Sequence, residues 1–152
     1  MFRGINTATL DGKGRLALPV RLRETAHALA DGKLVATIDV SDCCLLLYPL
    51  PEWEVVQSRL EALANIGNDA RWVQRLLVGH ATDLELDGQG RILLPSLLRD
   101  HAELAKRVTL VGQGNKLELW AEATWAERLS EWKGSKGVRE LAESHALNGL
   151  KL

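Results

Sequence analysis

The chain has 152 residues, of which 46% are hydrophobic and 26% charged; this balance fits one compact domain or two very small ones and excludes a disordered chain. Its 19 Lys and Arg residues and 20 Asp and Glu residues give a formal net charge of -1, so any surface for nucleic acid must be local. No apolar run reaches the roughly 20 residues that span a bilayer, and polar Asn6 and Thr7 stand where a signal peptide would be apolar. We therefore expect a cytoplasmic protein without a membrane partner.

The organisation of the chain follows from an internal repeat. The segment LDGKGRLALP at residues 10–19 returns as LDGQGRILLP at residues 86–95, and a Leu-Arg pair follows each copy at the same offset. A repeat of this length predicts two tandem copies of one small β-rich unit. The expected boundaries are a first unit at 5–52, linking helices at 53–80, a second unit at 81–124, and a C-terminal helix and tail at 125–152.

Each copy opens with the same predicted elements. In the first copy, residues 7–10 and 16–18 are typical of two short strands, joined by the glycine-rich turn Asp11-Gly12-Lys13-Gly14. Pro19 suits the first turn of a helix, because its fixed φ is helical and its missing N–H is not needed there. We expect that helix over residues 20–30.

A second hairpin and amphipathic helices are predicted to follow in both copies. The hairpin strands are expected at residues 34–38 and 44–48, and again at 108–111 and 116–120. The further helices are expected from Pro51, over 68–77 between the copies, around Trp125 and Trp132, and over 138–147 in the tail. The aromatic residues on these helices are interpreted as core or interface residues.

Signatures of catalysis and of metal or nucleotide binding are missing from the sequence. Cys43 and Cys44 are adjacent, which suits neither a disulfide framework nor spaced metal ligands, so we interpret them as small apolar strand residues. The four histidines are scattered, and neither a phosphate-binding loop nor a nucleophile elbow occurs. The sequence therefore predicts a protein that is not an enzyme and that holds no cofactor or metal.

Cations cluster in the first copy and not in the second. The predicted DNA-binding residues are Arg3, Lys13, Arg15, Arg21 and Arg23. Asp11 is the one acid within the same 23 residues, which leaves that stretch at +4, whereas the matching residues 85–99 are neutral. Because phosphate neutralisation needs clustered cations, we expect the first copy to face DNA.

The repeated Asp and Arg of the motif allow two interpretations. A two-stranded ribbon fits the major groove, where Arg15 could bind guanine bidentately and Lys13 could bind phosphate. Alternatively, Asp11 and Arg15 form an ion pair that stabilises the hairpin, and Lys13 is a solvated surface residue. Since the motif recurs without basic neighbours, part of it is structural; the residues assigned to that structural motif are Asp11, Gly14, Asp87, Gly90 and Arg91.

The opening Met1-Phe2-Arg3-Gly4, the two Asp-Gly-x-Gly-Arg motifs and the Leu-Pro after each resemble the MraZ family of bacterial transcriptional regulators, over about residues 1–130. The resemblance implies an α+β fold of two tandem AbrB-like swapped-hairpin units with amphipathic helices, forming one pseudo-twofold protomer. It also implies protomers assembled into homo-oligomeric rings. Its implied partner is double-stranded DNA carrying promoter repeats, upstream of the division and cell-wall gene cluster, which places the protein at the nucleoid.

A different class of function also fits part of the sequence. Five tryptophans and several amphipathic helices are typical of a self-assembling scaffold or protein-binding module. The nearly neutral net charge favours that alternative, in which the basic hairpin would be incidental.

Overall fold

The structure, a computed structural model, describes residues 1–63 and 67–150. The chain divides into two compact units, Met1–Glu122 and Ala123–Leu152. Both copies of the repeat therefore lie in one compact unit. Its strands are β1 Ile5–Thr9, β2 Arg15–Ala17, β3 Lys33–Ile38, β4 Leu45–Pro49, β5 Thr82–Glu85, β6 Arg91–Leu93, β7 Arg107–Gly112 and β8 Leu117–Ala121. The helices are α1 Val20–Ala30, α2 Leu50–Leu63, α3 Gly67–Leu77, α4 Ser96–His101, α5 Glu122–Lys133 and α6 Ser135–Glu143, followed by a 3-10 turn at His145–Leu147.

The first strand of each copy pairs with the other copy. Six antiparallel strands form one sheet in the order β1-β7-β8-β4-β3-β5. Strand β1 of the first copy pairs with β7 of the second, and β5 of the second pairs with β3 of the first. Exchanging each strand for its equivalent in the other copy reverses this order, so a pseudo-twofold axis passes between β4 and β8. This confirms the α+β fold with swapped hairpins that the family resemblance implied.

The hairpin predicted between the first two strands is wrong in its pairing. Strands β1 and β2 meet only at a single bridge between Leu10 and Leu16, and β2 pairs instead with β6 in a separate two-stranded sheet. The turn between them directs the chain from one sheet to the other. Local turn chemistry predicted a reversal correctly, but the backbone partners of both strands come from the second copy.

The larger of two hydrophobic clusters lies between these strands and helices α1 and α4. Leu16, Leu18 and Leu22 of the first copy are almost fully buried, as are Ile92, Leu94 and Leu98 at the equivalent positions of the second. A smaller cluster of Val35, Leu46, Tyr48 and Trp53 packs beneath α2 and α3. The Thr37 hydroxyl donates to the Leu77 carbonyl at 2.6 Å and so joins β3 to the end of α3. The larger cluster therefore draws on equivalent positions of both copies.

Several boundaries differ from the prediction. The helix predicted over 20–30 is confirmed as α1, but the cysteines precede β4 instead of lying in it. The backbone N–H of Cys44 donates to the Asp42 carbonyl, which holds Cys44 in the loop. In the C-terminal unit, the predicted helix over 138–147 is α6 and a separate 3-10 turn, divided at Ser144. Of the helices in the described ranges, none is long and apolar enough to cross a membrane.

Candidate nucleic-acid interface

The first copy of the repeated motif folds into a tight turn at residues 11–15, here named the first turn. Asp11 Oδ1 accepts hydrogen bonds from the backbone N–H groups of Lys13 and Arg15, both at 2.9 Å. Its Oδ2 accepts a third from Arg15 Nε, also at 2.9 Å. One carboxylate therefore fixes both the backbone of the turn and the direction of the Arg15 side chain.

The second copy repeats this geometry at residues 87–91, the second turn. Asp87 Oδ1 accepts from the backbone N–H groups of Gln89 at 2.8 Å and Arg91 at 2.9 Å, and Oδ2 accepts from Arg91 Nε at 3.1 Å. The two turns differ at the tip, where Lys13 in the first corresponds to Gln89 in the second. Both tip side chains are exposed.

These contacts lower the pKa of both aspartates. For Asp11 the largest cause is the hydrogen bond from the Arg15 backbone N–H; partial desolvation opposes it, and the Arg15 side chain adds to the lowering. The pKa of Asp87 is lowered in the same way, chiefly by the Arg91 backbone N–H. Both carboxylates are thus ionised at neutral pH, where they hold the arginines.

The two turns lie at opposite ends of β2 and β6, which together form a two-stranded ribbon. The ribbon pairs Leu16 with Ile92 at its centre, and both of these side chains are buried. Because side chains alternate along a strand, the neighbouring positions share the outer face. That face carries Arg15, Ala17, Arg91 and Leu93. The ribbon therefore presents one arginine at each end of a short outward surface.

The arginines of the ribbon are partly exposed and keep donors available. The Arg15 side chain is 34% exposed and that of Arg91 is 29% exposed. Each uses Nε for its aspartate, and within the described residues neither Nη1 nor Nη2 makes a hydrogen bond. A guanidinium held at Nε with free Nη groups can bind a planar acceptor pair such as the guanine edge or a phosphate.

Each turn is attached to a strand of the other copy. The backbone N–H of Leu18 donates to the Gly90 carbonyl at 3.0 Å, and that of Leu94 donates to the Gly14 carbonyl at 2.8 Å. Both glycines are buried and have positive φ, +85° at Gly14 and +72° at Gly90. The turn conformation and the ribbon are consequently one structure built from both copies.

The five cations predicted to bind DNA occupy three places. Lys13 and Arg15 lie at the first turn. Arg21 Nη2 donates to the Arg3 carbonyl at 3.1 Å, and this pair is separated from the first turn by the length of β1, about 17 Å for five extended residues. Arg23 lies at the second turn. The net charge of +4 counted over the first 23 residues therefore does not correspond to one cluster of cations in the structure.

Arg23 and Arg99 lie against the turn of the opposite copy. Arg23 Nε donates to the Leu18 carbonyl at 3.0 Å, and its Cζ is 2.5 Å from the place where a Cβ on Gly90 would stand. Arg99 Nε donates to the Leu94 carbonyl at 3.0 Å, and its Cζ is 2.9 Å from the corresponding place on Gly14. Sequence analysis gave Arg99 no role. The repeated Leu-Arg pair was the available signal, but nothing in it reveals the contact with Gly14.

One cluster within the described residues has metal-ligand chemistry. Ligand atoms of Asp39, Cys44 and Glu118 lie within 4.8 Å of one another, and Cys44 Sγ is 3.9 Å from Glu118 Oε2. Burial, followed by the nearby carboxylates, raises the pKa of the Cys44 thiol far above its ordinary value. Without a metal the thiol is therefore protonated at neutral pH, and a metal ion that bound there would have to displace this proton.

Comparison with known proteins identifies the family. A family model described as "MraZ protein, putative antitoxin-like" matches residues 1–76 and again 77–143, in agreement with the repeat. The chain belongs to the MraZ family. It is 56% identical over 147 residues to a protein of Thioalkalivibrio sulfidiphilus, covering 97% of this chain and 96% of the relative. A relative from Hydrogenovibrio crunogenus is 52% identical over 94% of both chains, and one from Yersinia pestis is 47% identical over the full length of both. All three of these MraZ relatives are named "Transcriptional regulator MraZ".

Proposed function

We propose that this chain is a sequence-specific DNA-binding transcriptional regulator that acts on repeated sites upstream of the division and cell-wall gene cluster. The name of its relatives, "Transcriptional regulator MraZ", supports the regulatory role. The observation that carries the DNA-binding role is the outer face of the ribbon, where Arg15 and Arg91 are each held at Nε by an aspartate. Its site of action would be the cytoplasm, at the nucleoid.

The geometry of the ribbon suits the major groove. Two antiparallel strands are narrow enough to enter the groove, which is about 12 Å wide. Arg15 is oriented before DNA binds, because Asp11 accepts a hydrogen bond from its Nε and because its backbone is paired with Leu93 in the ribbon. A side chain that is already ordered loses less conformational entropy on binding, so more of the contact energy contributes to affinity. Arg15 is the residue we expect to read a base edge.

The other predicted DNA-binding residues contribute from different positions. Lys13 is exposed at the tip of the first turn, where a flexible ammonium group can reach phosphate. Arg3 and Arg21 are exposed as a pair beyond β1, and Arg23 acts at the second turn. We propose phosphate contacts for this group. For the structural motif, we propose that Asp11 and Asp87 orient the arginines and that Gly14 and Gly90 permit the turns. Arg91, which the sequence assigned to this motif, is proposed to face DNA as well, because it lies on the outer face of the ribbon.

We further propose that protomers assemble into a homo-oligomeric ring. Trp72 is 52% exposed and Trp132 is 46% exposed, and large exposed aromatic side chains are typical of protein interfaces. One protomer carries five cations at its ribbon and turns, and binding that rests on so small a number of phosphate contacts falls quickly with salt; they are Lys13, Arg15, Arg23, Arg91 and Arg99. Several ribbons on one particle would raise the effective concentration at repeated sites.

The alternative is a self-assembling scaffold or protein-binding module without DNA specificity, which the same exposed tryptophans would serve. An electrophoretic shift experiment separates the two functions. Binding to the chain's own upstream DNA is compared with binding to a shuffled sequence of equal length at moderate salt. A selective shift of the upstream fragment supports the regulator; equal shifts, or none, favour the scaffold.

A further inference from the structure

We propose that Arg99 is a positioning residue for the first turn, and that Arg23 has the same role at the second, so that each DNA-contacting turn is held by an arginine of the opposite copy. The effect on DNA rests on the proposed function. The crossed support itself does not, because it is a property of the fold.

The contact at the first turn is specific to glycine. Gly14 has a φ of +85°, and a Cβ there would stand 2.9 Å from Arg99 Cζ and 3.0 Å from Arg99 Nε. Without a Cβ, the guanidinium can lie against the backbone of the turn. Arg99 thus packs against the residue that immediately precedes Arg15 in sequence, although 84 residues separate Arg99 from Arg15 along the chain.

Two hydrogen bonds fix the position of the Arg99 guanidinium relative to the first turn. Arg99 Nε donates to the Leu94 carbonyl at 3.0 Å, and the Leu94 N–H donates to the Gly14 carbonyl at 2.8 Å. The side chain, the strand end and the turn therefore form one closed set of contacts. Movement of the first turn away from the ribbon would break the Leu94 bond and expose the face of Arg99.

The same set occurs at the second turn with the copies exchanged. Arg23 Nε donates to the Leu18 carbonyl, the Leu18 N–H donates to the Gly90 carbonyl, and the Arg23 guanidinium lies against Gly90. Two independent occurrences indicate an arrangement required by the fold. The contacts also explain why the Leu-Arg pair repeats together with the turn motif.

Positioning matters because Arg15 has to meet its acceptor at a fixed angle. Asp11 orients the side chain relative to the turn, but nothing in that contact fixes the turn relative to the ribbon. The bond from the Leu94 N–H to the Gly14 carbonyl supplies part of this second constraint, and Arg99, which packs on Gly14 and binds the Leu94 carbonyl, adds to it. Loss of Arg99 should therefore weaken DNA binding through Arg15, whereas Arg91 on the same copy as Arg99 should be unaffected.

Hydrogen exchange tests the crossed support without DNA. Arg99→Lys keeps the charge, but the lysine ammonium group is not planar and has no counterpart of the arginine Nε that binds the Leu94 carbonyl. We expect exchange in the peptide containing residues 11–15 to become roughly tenfold faster, with residues 87–91 unchanged. Arg23→Lys is the matched control and should give the reverse pattern. Acceleration confined to the turn of the variant's own copy, or equal at both turns, would overturn the proposal.

A double-mutant cycle tests the consequence for DNA. Arg99→Lys should weaken binding to the upstream fragment roughly tenfold. Combined with Arg15→Ala, it should cost little beyond Arg15→Ala alone; combined with Arg91→Ala, the two losses should multiply. Wild-type affinity for Arg99→Lys, or multiplied losses with Arg15→Ala, contradicts the positioning role. If the unmodified protein does not prefer the upstream fragment, the proposed function fails, and hydrogen exchange still decides the crossed support.

Discussion

Arg15 and Arg91 occupy equivalent positions at opposite ends of the β2–β6 ribbon, since the register pairs Arg15 with Leu93 and Arg91 with Ala17. Their aspartate contacts are the same to within a few tenths of an ångström. The geometry of the motif alone therefore does not distinguish the two copies. What distinguishes them is the tip of each turn, where Lys13 replaces the neutral Gln89.

The tip residue yields the first prediction. Lys13→Gln copies the second turn into the first and removes one cation that can reach phosphate. Affinity should fall on all DNA sequences alike, and the slope of log affinity against log salt should decrease by about one. The reciprocal Gln89→Lys is the control and shows whether the second tip also reaches DNA. A loss confined to one base position would make Lys13 a base reader.

The turn aspartates yield a pH prediction. Their pKa values lie below the ordinary aspartate value because backbone N–H groups and an arginine stabilise the charged form. A carboxyl group whose pKa is lower in the folded chain than in the unfolded chain stabilises the fold at pH values above the unfolded pKa, which is about 3.9. This stabilisation is lost as the pH falls through the folded pKa. The turns should therefore be intact at neutral pH and weaken only in acid.

Carboxyl chemical shifts followed through an acid titration measure these pKa values directly. A peptide of residues 9–17, which cannot form the ribbon, is the reference. We expect Asp11 to titrate at lower pH in the protein than in the peptide. A value equal to that of the peptide, or above it, would show that the hydrogen bonds of the turn do not persist in solution.

Glycine substitutions test the close packing at the first turn. Gly14→Ala places a Cβ at positive φ and 2.9 Å from the Leu94 carbonyl oxygen, so it should destabilise the fold by about 1–3 kcal/mol. Gly12→Ala is the matched control, because Gly12 has nothing within 4 Å of the added atom. Denaturant unfolding compares the two variants. Equal stabilities would mean that Gly14 is not tightly packed.

The ring is tested by mass and by DNA length. Light scattering at micromolar concentration should report a mass several times the 16.8 kDa of one chain. DNA with one repeat should bind far more weakly than DNA with several, because linked ribbons bind with a higher effective concentration. A monomer that binds both fragments equally would refute the ring and leave the DNA-binding proposal standing.

Local features of the fold were predictable from the sequence. Pro19 marks the start of α1, and each turn is given by its Asp-Gly-x-Gly pattern. The strand partners of β1 and β2 were not predictable from the residues themselves, because strands of five and three residues carry no information on their neighbours. The family resemblance implied the swapped hairpins, and the structure confirms them.

The candidate site was predictable only where its contacts are local in the sequence. The Asp11 to Arg15 pairing is local, so the spacing of four residues indicated it. The neighbourhood of Arg23 and Arg99 is set by the exchange of strands between the copies, and a charge count along the chain placed Arg23 beside the wrong turn. Tertiary contacts between distant residues require the pairing to be known first.

Fluorescence anisotropy tests the central claim most directly. It compares binding to the upstream DNA with binding to shuffled DNA at one salt concentration, for the unmodified protein, Arg15→Ala and Arg91→Ala. The unmodified protein should prefer the upstream fragment by about 10³-fold or more. Arg15→Ala should weaken specific binding by about 1–3 kcal/mol, the cost of one bidentate base contact, and by more than Arg91→Ala does. Equal affinities of the unmodified protein for the two fragments would contradict sequence-specific DNA binding, and equal losses in two folded variants would contradict the leading role of the first copy.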